Sequence, residues 1–208
     1  MRTIIICGAT ATGKSDLAVA LAKEIDAEIV NADSMQVYEG MDIGTAKLSL
    51  ADRGGIPHHL LDALTVRQDS TVAWYQDAAR TVIDQIHQRG KDAIIVGGTG
   101  LYIKAIVDDL NFPDTDPVIR SRLELEAIEQ GAAVLFARLE KLDPAAALAI
   151  DRANTRRIVR ALEVIEITGQ PFTANLPREE SSRYPDALHF GLSQDRESLD
   201  IRVSNRVD

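Results

Sequence analysis

Cysteine is nearly absent from this chain. Cys7 is alone among 208 residues, which excludes an intramolecular disulfide, argues against a zinc–cysteine cluster and fits a reducing cytosol. Cys7 itself reads as a small buried strand residue. Long apolar runs are missing too, so no membrane-spanning helix is expected. Met1 and Arg2 with the short run behind them do not make a signal peptide, and the expected location is the cytoplasm. There is no excess of positive charge: the formal net charge is −9 and the pI is near 5.0. Taken as a total, that argues against a nucleic-acid partner, and only a local basic face could override it. No internal repeat or low-complexity segment is present.

What the chain does have is Gly8, Ala9, Thr10, Ala11, Thr12, Gly13, Lys14 and Ser15 in succession, the GxxxxGK[ST] pattern of a phosphate loop. The apolar run Ile4, Ile5, Ile6 and Cys7 precedes it, and Leu17, Leu21 and Ile25 follow at helical spacing. Strand, loop and helix therefore come in the required order, which makes the match specific. The glycines let backbone N–H groups turn around phosphate oxygens. The helix N-terminus adds a partial positive charge and Lys14 a full one. Ser15 can place its hydroxyl on a Mg²⁺ ion.

Residues 28–32 predict a second strand ending at Asp33. The ground from there to residue 62 is loop-rich, with Gly40, Gly44, Gly54, Gly55 and Pro57 ahead of His58 and His59. A helix is predicted from Ser70, with Val72, Tyr75, Ala79, Val82, Ile83 and Ile86 on one face, Ser70 or Thr71 as N-cap and Gly90 as stop. Residues 93–96 predict a third strand, running into Gly97, Gly98, Thr99 and Gly100. This alternation predicts an α/β fold: a P-loop NTPase-like parallel sheet with helices on both faces. After Pro113 strand signals nearly vanish. Asp116 and Pro117 start a helix that Gly131 ends, Asp143 and Pro144 start another segment, and Asn154 caps a third that Gly169 and Pro171 end. The predicted organisation is a core over residues 1–113, a helical insertion over 114–185 and a return to the core over 186–208. The return consists of a strand at 187–192 and a helix, capped by Asp195, still running at Asp208, and the expectation is that the chain is a fragment.

Ligands of open parallel sheets bind at the carboxyl ends of the strands, and three such ends converge here: the phosphate loop, Asp33 with Ser34, and residues 97–100. A hydrolytic NTPase places an acid at the end of another apolar strand to hold Mg²⁺ and position water. Strand 93–96 ends in glycines instead. Two roles then fit Asp33: a base toward an incoming acceptor, or a residue behind a metal's ligands. The glycines after Val96 fit either close backbone approach, with the Thr99 hydroxyl beside it, or a tight strand-to-helix turn. His58 and His59 have no cysteine or acid at ligand spacing, so no metal site is read there. Trp74, Tyr75 and Tyr102 read as core or pocket-wall residues. The local basic cluster is Arg152, Arg156, Arg157 and Arg160, on a helix whose buried stripe is Ile158, Ala161, Leu162 and Ile165. It fits phosphate contacts, and equally a solvated face paired with Glu163 and Asp151. Arg202 and Arg206 pose the same choice on the last helix.

Residues 33–47, Asp33-Ser-Met-Gln-Val-Tyr-Glu-Gly-Met-Asp-Ile-Gly-Thr-Ala-Lys47, resemble the most distinctive block of the tRNA dimethylallyltransferases (tRNA isopentenyltransferases). His58-His-Leu-Leu-Asp62, Gly97-Gly-Thr-Gly-Leu-Tyr102, Leu142-Asp-Pro144 and Arg157-Ile-Val-Arg-Ala-Leu-Glu-Val164 match further blocks in the right order, so the resemblance covers essentially the whole chain. Departures are Ala9 and Leu48, where the family usually has proline, and Thr12, where it often has serine; members also continue well beyond Asp208. The resemblance implies transfer of a dimethylallyl group from its diphosphate to the exocyclic amine of the adenine just 3′ of the tRNA anticodon. It implies that residues 8–15 hold the diphosphate, with Thr10, Lys14 and Arg202 acting on the leaving group, Mg²⁺ on Ser15, and Asp33 as the base. Ser34, Met35, Gln36 and Thr99 would line the adenine pocket with Asp33, and Arg156, Arg157 and Arg160 would grip the anticodon loop. The expected state is a monomer away from membranes. Three other readings stand beside it: a small-molecule kinase using ATP, an isopentenyltransferase acting on free AMP or ADP, and a nucleotide-gated RNA-binding module without catalysis.

Overall fold

The isoleucine-rich runs form strands that are apolar without alternation because helices cover both faces of the sheet. β1 (Thr3–Gly8), β2 (Ala27–Asn31), β3 (His58–His59), β4 (Asp92–Gly97) and β5 (Leu188–Leu192) lie in the order β3-β2-β4-β1-β5. Every pairing is parallel, so all carboxyl ends share one edge. The computed structural model describes residues 1–108, 110, 112–175 and 182–207. The chain divides into two units, Met1–Asp109 with Ser181–Asp208, and Leu110–Glu180.

In the first unit the helices are α1 (Lys14–Ile25), α2 (Val72–Gln88) and α3 (Gly100–Val107). Ile5, Val30, Ala93 and Ile95 pack on Tyr75, Ala79, Ile83 and Ile86 of α2 and on Tyr102 and Ile106 of α3. The opposite pleat, Ile4, Ile6, Ile29, Ile94 and Val96, packs on Ala18, Val19 and Ala22 of α1. The spacing of Leu17, Leu21 and Ile25 marks α1 as a helix but not its buried face. Ala18, Val19 and Ala22 make up that face, Leu21 and Ile25 pack partly buried at its edge, and Leu17 is 44% exposed. Thr71 caps α2 by accepting a hydrogen bond from the Trp74 N–H. Tyr75 and Tyr102 stack with ring centroids 3.7 Å apart, so they belong to the core. Cys7 is half-buried rather than buried.

Two elements of this unit have weak sequence signals. β3 is two residues long, inside ground that reads as loop. The start of α3 is hidden because Thr99 makes no side-chain cap; its hydroxyl has another use, described below.

The second unit contains α4 (Pro117–Gln130), α5 (Ala132–Leu142), α6 (Pro144–Ala149) and α7 (Thr155–Thr168) around Leu123, Leu135, Phe136, Leu139, Ile158 and Leu162. Asp116, Asp143 and Asn154 are its caps, accepting from Val118 and Ile119, from Ala146 and from Arg157 respectively. α5 is not foreseen as a separate helix, because Gly131 both ends α4 and starts α5 without a capping side chain. In the first unit, α8 (Arg196–Val207) follows β5, with the Ser198 N–H on Asp195 Oδ1 at 2.8 Å.

Glu163 is fully buried in the second unit. Arg120 and Arg160 donate to Glu163 Oε2 at 2.7 and 2.9 Å, and the Asp116 N–H donates to Oε1 at 3.1 Å. Burial pushes the Glu163 carboxyl up, but the two guanidinium groups outweigh it and hold the group below the usual glutamate range. The stabilisation is therefore complete above the ordinary glutamate pKa and is lost as pH falls through the depressed one. Glu163→Gln leaves two guanidinium groups facing an uncharged partner and is expected to destabilise the protein by about 3–5 kcal/mol. Urea unfolding followed by circular dichroism would measure this. The variant should also lack part of the wild-type acid limb; equal acid sensitivity would refute the assignment.

Candidate active site

The loop between β1 and α1 is shaped by its own backbone. Ala11 and Gly13 take left-handed conformations, with φ of 61° and 86°. That strain is cheap at Gly13, which has no Cβ, and it ends the loop so that α1 starts at Lys14. No side chain caps α1, so its first-turn N–H groups are left for an anion. The Thr12 hydroxyl and Lys14 Nζ both donate to the Ala9 carbonyl, at 2.9 and 2.6 Å, which folds the loop over the lysine. Ala9 and Thr10 are exposed at its apex. From α8, Arg202 Nη1 reaches the Ala11 carbonyl at 3.4 Å, so a second cation from the far end of the chain lies on the loop. The side chain of Arg206 lies outside the described residues.

The next strand end is built around Asp33. Asn31 brackets it: the Asp33 N–H donates to Asn31 Oδ1, and Asn31 Nδ2 donates to the Asp33 carbonyl, both at 3.0 Å. Asp33 Oδ1 accepts from the N–H groups of Met35 and Gln36 at 2.8 and 3.3 Å. Among the described residues Oδ2 accepts no hydrogen bond. The third strand end closes on the second. Thr99 N–H donates to the Ala32 carbonyl at 3.2 Å, and Thr99 Oγ1 accepts from the Ser34 N–H at 3.1 Å. This is the use that takes Thr99 away from capping α3. Gly97 permits the approach, since a Cβ there would lie 2.2 Å from the Ala32 carbonyl oxygen.

A cleft lined by Ser15, Asn31, Gln36, Leu48, His58 and Val96 joins the phosphate loop to this second strand end. Burial pushes the His58 imidazole down, aided by Arg53 and His59 and opposed by the Ile56 carbonyl. Its Nδ1 lies 2.8 Å from that carbonyl. His59 instead pairs with Glu28 at 2.7 Å, and among the described residues no group of His, Cys, Asp and Glu could by itself hold a metal.

The structure thus brings together residues 8–15, residues 33–36, Thr99 and Arg202. The arginine cluster lies in the other unit, and its members differ. Arg156 and Arg157 are exposed at the start of α7. Arg160 is engaged internally, with Glu163 and with the carbonyls of Pro113 and Asp114 at 2.8 and 3.3 Å. Arg152 lies over the Phe136 ring, 4.8 Å from its centroid. The sequence gives Glu163 no mark that separates a buried acid from a solvated partner on the same helix.

A parallel sheet with a phosphate loop after its first strand defines the P-loop NTPase-like class. A family model described as IPP transferase matches residues 36–208. A tRNA dimethylallyltransferase of Thermobifida fusca is 57% identical over all of this chain and 66% of its own length. One from Pseudarthrobacter chlorophenolicus is 53% identical over 98% of this chain and 67% of its own length. Among solved structures, a eukaryotic dimethylallyltransferase acting on tRNA matches with TM-score 0.85 and 30% identity, over 100% of this chain and 52% of that one. The tRNA isopentenylpyrophosphate transferase of Bacillus halodurans matches with TM-score 0.64 and 40% identity, over 100% of this chain and 65% of that one. The chain belongs to the IPP transferase family. It spans about two thirds of the length of the curated relatives it matches. Among the described residues no helix is long and apolar enough to cross a membrane.

Proposed function

We propose that the protein transfers a dimethylallyl group from dimethylallyl diphosphate to the exocyclic amine of the adenine 3′ of the tRNA anticodon. The observation that carries this reading is Asp33 Oδ2, which accepts no hydrogen bond among the described residues, across β4 from a phosphate loop that two cations serve. The names of the relatives supply the tRNA and the dimethylallyl group, and the family resemblance of residues 33–47 supplies the adenine. The N–H groups of residues 11–15, with Lys14 and Arg202, take up the charge that develops on the departing diphosphate. Thr10 closes the apex of that cradle.

The amine nitrogen attacks the allylic carbon, the carbon–oxygen bond to diphosphate breaks, and the amine proton passes to Asp33 Oδ2. Asp33 Oδ1 stays on the backbone, which fixes the carboxylate plane. Residues 34–36 and Thr99 form the wall against which the adenine lies after leaving its stack, at a cost of a few kcal/mol. Arg156 and Arg157 contact the phosphates of the anticodon loop. Arg160 drops out of that set because its guanidinium already serves Glu163.

The Ser15 hydroxyl would hold a Mg²⁺ ion, which keeps several waters and needs few protein ligands. When bound it neutralises leaving-group charge. The protein acts in the cytoplasm as a monomer.

Incubating the whole protein with labelled dimethylallyl diphosphate and tRNA, with AMP in place of tRNA, and with labelled ATP tests the reading. Label should enter tRNA alone. Transfer to AMP, or label moving only from ATP, would overturn it.

A further inference from the structure

One side chain of the 33–47 block has no part in the chemistry above. Lys47 is 2% exposed at its side chain, and its ammonium donates to the Tyr38 carbonyl at 2.8 Å and to Asp62 Oδ1 at 2.5 Å, with Asp42 Oδ1 also at 2.8 Å. Three acceptors use all three of its donors. An ammonium taken out of water costs several kcal/mol unless it is satisfied in this way. Burial pushes its pKa down, but the Asp42 and Asp62 carboxylates outweigh burial and raise it, so the group stays charged.

The acceptors belong to three separate pieces of chain. Tyr38 ends the turn that begins at Asp33, and its N–H returns to the Met35 carbonyl at 3.4 Å. Asp62 lies beside that turn, its N–H on the Gln36 carbonyl at 3.3 Å. Asp42 belongs to the following loop, from which the Thr45 carbonyl accepts Gln36 Nε2 at 2.9 Å. The turn is thus held at both ends, by Asp33 Oδ1 at its first amides and by Lys47 at its last carbonyl.

We propose that Lys47 is a positioning residue for transfer. Its ammonium gathers residues 36–38, 42 and 62 around one point and so fixes the turn that aims Asp33 Oδ2 and Gln36 at the acceptor base. The inference rests on the proposed function for its kinetic consequence only; the positioning of the turn is testable without it.

In the whole protein, Lys47→Met is expected to lower kcat on the order of 10²-fold, as a misplaced reacting group does, with the diphosphate Kd unchanged within about twofold. Asp42→Asn removes the negative charge facing Lys47 and keeps only an amide oxygen there, leaves the fold intact, and should give a smaller loss in the same direction. Hydrogen exchange at the Met35 and Gln36 amides should accelerate in both variants. An unchanged kcat, or a kcat loss paralleled by equal losses of diphosphate affinity and melting temperature, would overturn the proposal. If Lys47→Met does not fold, Asp42→Asn decides by the same criteria. Should the wild-type protein transfer no prenyl group, the functional reading fails alone, and hydrogen exchange still decides: faster exchange supports the positioning role and unchanged exchange refutes it.

Discussion

Asp33→Asn should lower turnover about 10³-fold, inside the range expected for loss of a general base, while diphosphate binding stays within about twofold of wild type. The substitution is nearly isosteric. Its amide oxygen can still accept from the Met35 and Gln36 N–H groups, as Asp33 Oδ1 does at 2.8 and 3.3 Å, so the turn is kept. At the position of Oδ2 it presents an NH₂ group, which donates where the reaction needs an acceptor. Steady-state turnover on tRNA and calorimetric titration of diphosphate separate the two quantities. Full turnover in the variant would refute Asp33 as the base and leave it only the role of shaping the turn.

Lys14→Met should act on the other reactant. The loop keeps the Thr12 hydroxyl on the Ala9 carbonyl, and α1 starts without any contribution from the Lys14 side chain, so the fold should survive. What is lost is the full positive charge beside the leaving group. Removing one aimed donor of this kind costs on the order of 10²–10³ in kcat. Diphosphate affinity should fall as well, since the same charge attracts the ground-state anion. That joint loss distinguishes it from Asp33→Asn. A variant that lost affinity with kcat intact would mean that Lys14 binds the diphosphate without stabilising its departure.

Much of this was legible in the residues themselves. Local signals carry their own physics: Asp116, Asp143, Asn154 and Asp195 cap as their side-chain chemistry requires, and a glycine-bounded loop ahead of a lysine holds anions wherever it occurs. Where local reading fell short, a side chain had been claimed by a distant partner. Thr99 does not cap α3 because Ser34 has its hydroxyl. Arg160 is not free on an outer face because α4 and α7 enclose Glu163, which needs it. Leu17 looks like a core residue beside its neighbours, yet the close packing of α1 on the sheet takes Ala18, Val19 and Ala22.

The sequence by itself determined the class of fold, the anion-binding loop after β1 and Asp33 as an acid at the end of β2. These depend on period and on backbone freedom, both of which are properties of short stretches. Only the tertiary structure decided which oxygen of Asp33 is available, that Arg202 meets the loop from about 190 residues away in the chain, and that Lys47 binds three separate segments. Those are facts of distance and burial. They arise when parallel strands bring remote ends to one edge, and no spacing along the chain encodes them.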